Sequence, residues 1–402
     1  MTNIVTIDNP LERVVGGLMR PASARVCTRC VMDTSDPGLK FDNQGVCNHC
    51  HDYGEFARSV TRSGECGLKE LEVLAAKIKQ DGAGKRYDCV IGVSGGVDST
   101  YVAYRVKQLG LRSLAVHLDN GWNSEIAVGN ISVTLKNLGI DLQTHVIDWE
   151  EFKDIQLAFL RAGVPDCEIP SDHAIVATVH EAARQHGIRH TIWGYNTKTE
   201  THLPRVWSQG HHDWGYIKAV HRQFGSGRTK TFPHLNFLGY VTGYKFTQTR
   251  LHLLDHVDYN KKEAMKLLEA QLGWRNYGGK HHESVYTRWY QGWFLPVRFG
   301  YDKRKTHLSS LICSGEITRA DALLELEQPT YSPELQRADT EYVMKKLGLS
   351  KVEFVAILAA PKRTFQDFPS HYKRRHGAAF RAALRGWQFF KYDLRGRKRP
   401  TS

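Results

Sequence analysis

Nowhere in the 402 residues does an apolar run approach the ~20 that a bilayer span needs. The opening stretch, MTNIVTIDNPLERVVGG, lacks the basic and apolar regions of a secretory signal, so a cytoplasmic protein is expected. Internal repeats are missing, and low complexity is confined to a basic C-terminal tail, which excludes a repeat architecture. Two familiar phosphate-binding signatures are missing as well. Gly-Lys occurs at Gly84-Lys85 and Gly279-Lys280 without the upstream glycine and following hydroxyl of a Walker loop, and no G-x-G-x-x-G follows a strand. What remains is 41% hydrophobic and 24% charged, the composition of a globular chain of two or three domains.

The charge is uneven. Residues 370–402 hold ten Lys or Arg and one Asp, so this tail accounts for +9 of the net +13 and the rest of the chain carries only +4. Basic character alone therefore does not indicate a nucleic-acid enzyme, although a basic arm and a zinc ribbon would both suit RNA phosphates.

Four of the eight cysteines form Cys27-x-x-Cys30 and Cys47-x-x-Cys50. Two such knuckles can close a tetrahedral thiolate site with no open position, so a structural zinc ribbon is expected, with Cys27, Cys30, Cys47 and Cys50 as ligands. His49 or His51 could replace one cysteine, although four thiolates are the simpler set. Cys66, Cys89, Cys167 and Cys313 are scattered and are read as small buried hydrophobes.

After a predicted helix at Leu68–Gln80 the pattern alternates. Strands are expected at Tyr87–Val93, Ser113–Leu118, Leu142–Ile147 and His190–Trp193, with helices at Val97–Leu109, Glu125–Leu138, Glu151–Ala162 and Asp172–His186. This alternation predicts an α/β fold, a parallel sheet with helices on both faces. From Asn260 onward the chain reads as mostly helical. The expected organisation is an extension (1–24), a zinc ribbon (25–60), a helical linker (61–85), a nucleotide domain (86–259), a helical substrate or partner region (260–369) and the basic tail (370–402).

Ser94-Gly95-Gly96-Val97-Asp98-Ser99-Thr100 joins the first strand to a helix. Two glycines, the helix N-terminus and the hydroxyls of Ser94 and Ser99 form a phosphate cradle. Asp98 is a poor partner for bare phosphate and points to Mg²⁺ bridging carboxylate and phosphate oxygens.

The string SGGVDST resembles the pyrophosphate (PP-) loop of the N-type ATP pyrophosphatases, the adenine nucleotide alpha hydrolase-like fold. That resemblance implies cleavage of ATP to AMP and pyrophosphate, with Asp119, Asn120 and Gly121 lining the nucleotide pocket and Gly194-Tyr195-Asn196 approaching the phosphates. Together with the cysteine ribbon, DNGWNSE (Asp119–Glu125) and GWRNYGGKHHESVYTRWYQGWFLPVRFGYDKRK (Gly273–Lys305), the loop makes roughly residues 25 to 370 similar to the N-acetyl sugar amidotransferases of surface-polysaccharide and flagellin-sugar synthesis. The resemblance implies conversion of an acetamido to an acetamidino group on a nucleotide-activated sugar, using ATP and ammonia.

Gly273–Lys305 mixes basic groups suited to phosphate or carboxylate with aromatic faces suited to a sugar or base. Any single aromatic at helical spacing is read as core; the cluster is read as the substrate segment. Lys280 and Lys303 are expected to stabilise the α-phosphorus or the leaving pyrophosphate. His282 or Glu283 would accept a proton from ammonia, and Arg275, His281, Arg288, Tyr301 and Arg304 would bind substrate. No cysteine follows Met1 directly and no G-x-C-x-G occurs, so ammonia is expected from external partners similar to the glutaminase and cyclase-like subunits of imidazole glycerol phosphate synthase. The competing reading is a tRNA-thiolating enzyme that uses the same loop.

Overall fold

The computed structural model describes residues 24–62, 64–240, 247–279, 282–330 and 332–371. Most of the N-terminal extension, nearly all of the basic tail, and Lys280 and His281 lie outside the described residues.

Helices α1 (Asn48–Val60) and α2 (Gly64–Asp81) lead into the α/β unit. It runs β1 (Cys89–Gly92), α3 (Val97–Gln108), β2 (Ser113–Asp119), α4 (Glu125–Leu138), β3 (Asp141–Val146), α5 (Trp149–Ala162), α6 (Ile169–Gln185) and β4 (His190–Trp193). A short helix α7 (Thr197–Glu200), helix α8 (Trp214–Phe224) and strand β5 (Thr249–His252) follow. The five strands are all parallel, in the order β3-β2-β1-β4-β5.

Alternation along the central strands assigns the two faces. Cys89 and Ile91 of β1 pack with α2, α3 and α4, whereas Val90 packs with Val179, Ala182 and Ala183 of α6. The expected parallel sheet covered on both faces is therefore what forms. β5 adds a strand that hydrophobic patterning missed. Its sequence, TRLH, is half exposed at the sheet edge and has no apolar alternation to detect.

The C-terminal part is helical: α9 (Lys261–Leu272), α10 (Val285–Trp289), α11 (Leu295–Phe299), α12 (Lys303–Ser314), α13 (Arg319–Glu327), α14 (Pro333–Leu347) and α15 (Lys351–Ala359). A π turn at Tyr290–Phe294 connects α10 to α11. The Gly292 carbonyl, four residues before Pro296 and so without that N–H, accepts from Thr330 Oγ1 at 2.6 Å. Trp289, Tyr290 and Phe294 are fully buried with Phe354 of α15 and Phe152 of α5, so these aromatics of the suspected substrate segment are core.

Candidate functional site

The strand order reverses between β1 and β4, and there a cavity of about 1290 Å³ opens beyond the strands' C-terminal ends. Open α/β sheets place ligands at this switch point. One wall is the glycine loop. Gly96 is the N-cap of α3, whose first-turn N–H groups have no carbonyl within the helix. Gly95 has φ +78°, and a Cβ there would lie 2.4 Å from the Ala127 carbonyl oxygen. Its own carbonyl accepts from Trp274 Nε1 at 2.9 Å. A Cβ on Gly194, at the end of β4, would come 3.1 Å from the Ser99 nitrogen. Glycine at both positions lets the backbone close around the cradle. Ser94 and Ser99 oxygens are 3.2 Å apart at its mouth.

Ser94, Ser99, Asn120, Gly194, His282, Glu283, Arg288, Lys303 and Arg304 line the cavity. Glu283 arrives there because its carbonyl accepts from Ser124 N at 2.8 Å, and Val285 N donates to the Trp122 carbonyl at 3.0 Å, which ties the C-terminal region across the end of β2. Gly95, Gly96, Val97, Asp98 and Thr100 belong to the same loop but are not among the residues that line the cavity. Asp98 is held by a hydrogen bond from the Tyr259 hydroxyl and lies 4.0 Å from Lys261 Nζ. Asp119 caps its own turn, accepting from Gly121 N at 2.9 Å.

The described candidate substrate residues, including the two lining arginines, are held by contacts within the protein. Arg288 makes a bidentate pair with Asp339 at 2.7 and 2.8 Å. Arg304 is clamped by Asp302 and by the Gln328 carbonyl, the latter at 2.7 Å. The backbone of Arg275 exchanges two 2.8 Å hydrogen bonds with the Asn130 amide behind the loop. Tyr301 stacks on Trp207 at 4.7 Å, beside the cysteine cluster.

Facing the loop is a wall of acids that was not singled out in the sequence. Asp166, Glu168 and Asp172, around the start of α6, meet Ser208, His211, Gln291 and Lys303. Lys303 Nζ lies 3.2 Å from Glu168, which also accepts from Gln291 at 2.6 Å. Burial would lower the lysine's affinity for its proton, but Asp166 and Glu168 outweigh it and keep the ammonium charged. His211 has Nδ1 3.0 Å from Asp172 and Nε2 2.5 Å from Ser208 Oγ, whose proton goes to Asp166. Both ring nitrogens therefore carry protons. Burial opposes that charge, and the Asp172 hydrogen bond with the nearby carboxylates overcomes it, raising the pKa.

Burial pushes the Glu168 carboxyl up, Lys303 pulls it down, and Asp166 and Asp172 push it up further. In the sequence these acids lie in GVPDCEIPSDH and the histidine in SQGHHD, with no spacing that joins the two segments.

His173 positions this wall. Its Nδ1–H donates to the His211 carbonyl at 2.7 Å, and its Nε2 accepts from Leu235 N at 3.1 Å, so the neutral ring is fully used. Burial lowers its pKa to about 4 from 6.5. The stability this contributes is complete above pH 6.5 and is lost as pH falls towards about 4, because the unfolded chain protonates first. The melting temperature should decline across that interval, and less so in His173→Gln.

Cys27, Cys30, Cys47 and Cys50 are fully buried and convergent. Their sulfurs lie 3.7 Å (Cys30–Cys47 and Cys47–Cys50) and 4.0 Å (Cys27–Cys50) apart. A tetrahedral ion with metal–sulfur bonds of ~2.3 Å needs edges of ~3.8 Å, so the residues fit a metal. Backbone N–H groups of Cys30, Met32 and Cys47 point at the sulfurs at 3.2–3.4 Å, which favours thiolates. His49 and His51 instead bond Asp36 at 2.7 Å and Asp42 at 2.9 Å.

Residues 283–381 match the family described as LPS biosynthesis protein WbpG-like, C-terminal domain. That segment supplies Glu283, Gln291, Lys303 and Arg304 to the cavity. No curated protein matches the chain. Among solved structures, that of NMN synthetase from Francisella tularensis is 17% identical, with 50% of this chain and 86% of that chain covered and a TM-score of 0.26. At that score the likeness adds nothing to the strand order. The chain thus joins an α/β domain with a glycine-loop cavity to a segment similar to a lipopolysaccharide-biosynthesis domain. Among the described residues no helix is long and apolar enough to cross a membrane.

Proposed function

We propose that the chain is an ATP-dependent, AMP-forming amidotransferase. It converts an acetamido group of a nucleotide-activated sugar to an acetamidino group, for lipopolysaccharide O-antigen or flagellin glycan synthesis. The observation that carries this reading is the shared cavity: a phosphate-type loop forms one wall, and the segment similar to the WbpG-like domain supplies another.

An acetamide oxygen is a poor leaving group, so ammonia cannot displace it directly. Attack of that oxygen on the α-phosphorus of ATP forms an O-adenylated imidate and releases pyrophosphate. Ammonia then adds to the imidate carbon, a proton is lost, and AMP departs with the original oxygen. The Ser94–Thr100 loop and α3 bind the phosphates, and Asp98, with Tyr259 and Lys261 behind it, would hold Mg²⁺, which supplies charge neutralisation. Lys303 contributes a fixed cation within the cavity. Glu168 takes the proton from the ammonia adduct, with His211 and Lys303 holding the surrounding charge. Ammonia must outcompete water at the imidate carbon, because hydrolysis would return the imidate to amide and waste the ATP. The four cysteines hold a structural Zn²⁺, and ammonia comes from separate glutaminase and cyclase-like subunits.

Thiolation is disfavoured by the cysteines near the sheet. Cys89 and Cys167 are buried, and burial pushes both thiols up, away from the nucleophilic thiolate.

The test is AMP release from Mg-ATP with ammonium present, comparing UDP-linked acetamido sugars with bulk tRNA and following product mass. Sugar-dependent AMP with oxygen replaced by NH is expected, and Asp98→Asn should reduce it by ~10²-fold or more while the fold persists. AMP release driven only by tRNA would reject the sugar reading.

A further inference from the structure

Cys313, near the end of α12, lies against the cysteine ribbon rather than in an apolar pocket. Its sulfur is 3.7 Å from Cys50 Sγ and 3.6 Å from His202 Nε2. Cys50, His202 and Cys313 present their ligand atoms within 4.8 Å of one another, as the four ribbon cysteines do among themselves. Cys50 belongs to both sets.

We propose that the protein holds a second soft divalent cation, Zn²⁺ by class, bound by Cys313 and His202 and joined to the ribbon ion through Cys50 as a bridging thiolate. Two independent features of the geometry carry this. The first is edge length. With metal–sulfur bonds of ~2.3 Å and metal–nitrogen bonds of ~2.0–2.1 Å, a tetrahedron has sulfur–sulfur edges of ~3.8 Å and sulfur–nitrogen edges of ~3.6 Å. The two contacts of Cys313 match one of each.

The second feature is the histidine tautomer. Ser310 Oγ donates to the Thr306 carbonyl at 3.1 Å, so it can only accept from His202 Nδ1–H, 2.9 Å away. That assignment leaves the Nε2 lone pair directed towards Cys313, which is how an outer hydrogen bond prepares an imidazole for a metal. A thiolate has lone pairs enough to bind two ions. Three protein ligands leave the fourth corner of the new site to a water.

The placement gives the second ion a task the four-cysteine site cannot perform. Cys50 lies on α1, Cys313 on α12 and His202 just beyond α7. Leu203, next to His202, and Lys303, the first residue of α12, both line the cavity. An ion at this position therefore fastens the ribbon to two of the cavity walls.

Metal content of the full chain, purified anaerobically and saturated with zinc, tests the proposal by elemental mass spectrometry. Two zinc ions per chain are expected, falling to one in Cys313→Ser and in His202→Ala. Cobalt titration of the unaltered chain covers the case in which a variant fails to fold: it should saturate at two equivalents. Ser310→Ala, which removes only the hydrogen bond to His202, should weaken the second equivalent by ~10-fold or more and spare the first. Saturation at one ion per chain, two ions retained in folded Cys313→Ser, or iron in place of zinc would overturn it.

Discussion

A Gly95→Ala chain should fold with reduced stability and lose all response to ATP. Two costs coincide at this position. The backbone at φ +78° is one that L-residues adopt at a cost of about 1–2 kcal/mol. The new methyl would also sit 2.4 Å from the Ala127 carbonyl oxygen and 3.0 Å from its Cα, atoms at the start of α4 that cannot rotate aside. Relief requires shifting the loop or α4, worth about 1–3 kcal/mol more for an overpacked contact. Either movement breaks the Trp274 hydrogen bond to the Gly95 carbonyl and displaces the cradle. Gly84→Ala is the matched control: its φ is +76°, but a Cβ there meets nothing within 4 Å. Thermal shift with Mg-ATP should be unchanged in Gly84→Ala and absent in Gly95→Ala. A normal shift in Gly95→Ala would show that phosphates bind elsewhere.

Glu168→Gln should separate the two halves of the proposed reaction. The amide retains an oxygen to accept from Gln291 and Lys303, so the cavity wall should stay in place. What disappears is the proton acceptor. Sugar-dependent AMP release should persist, because adenylation does not use Glu168. Amidine formed per AMP should fall by ~10²–10³-fold, the usual scale for losing a general base, as water instead of ammonia consumes the imidate. Equal losses of AMP and amidine would assign Glu168 to binding, and no loss of either would remove it from the mechanism.

These two residues also mark what was legible in the sequence. The Gly95 loop was readable because its chemistry is contiguous: an apolar strand, two glycines, hydroxyls and a helix start within a dozen residues. The four-cysteine cluster was readable for the same reason, since each knuckle is local. Glu168 was not, because its meaning comes from Lys303, Gln291 and His211, brought to it only by tertiary packing. Cys313 and His202 are likewise distant from Cys50 in the chain. The aromatic segment was legible in part. Its single aromatics at helical spacing read as core, and Trp289 and Tyr290 are fully buried, whereas Arg288, expected to bind substrate, is tied to Asp339. Helical periodicity identified the helix but could not say which face met the cavity.

The π turn at Tyr290–Phe294 lets one helical segment serve both the core and the cavity. Trp289 before the turn and Leu295 after it are both fully buried in the core, so the turn widens the helix without taking either flank out of the packing. The residues inside the turn are the ones redirected: Gln291 reaches Glu168, and the Tyr290 hydroxyl accepts from Cys167 N at 3.2 Å. The widened turn thus presents a polar side chain to the acidic wall of the cavity while the aromatic residues on either side of it stay packed in the core.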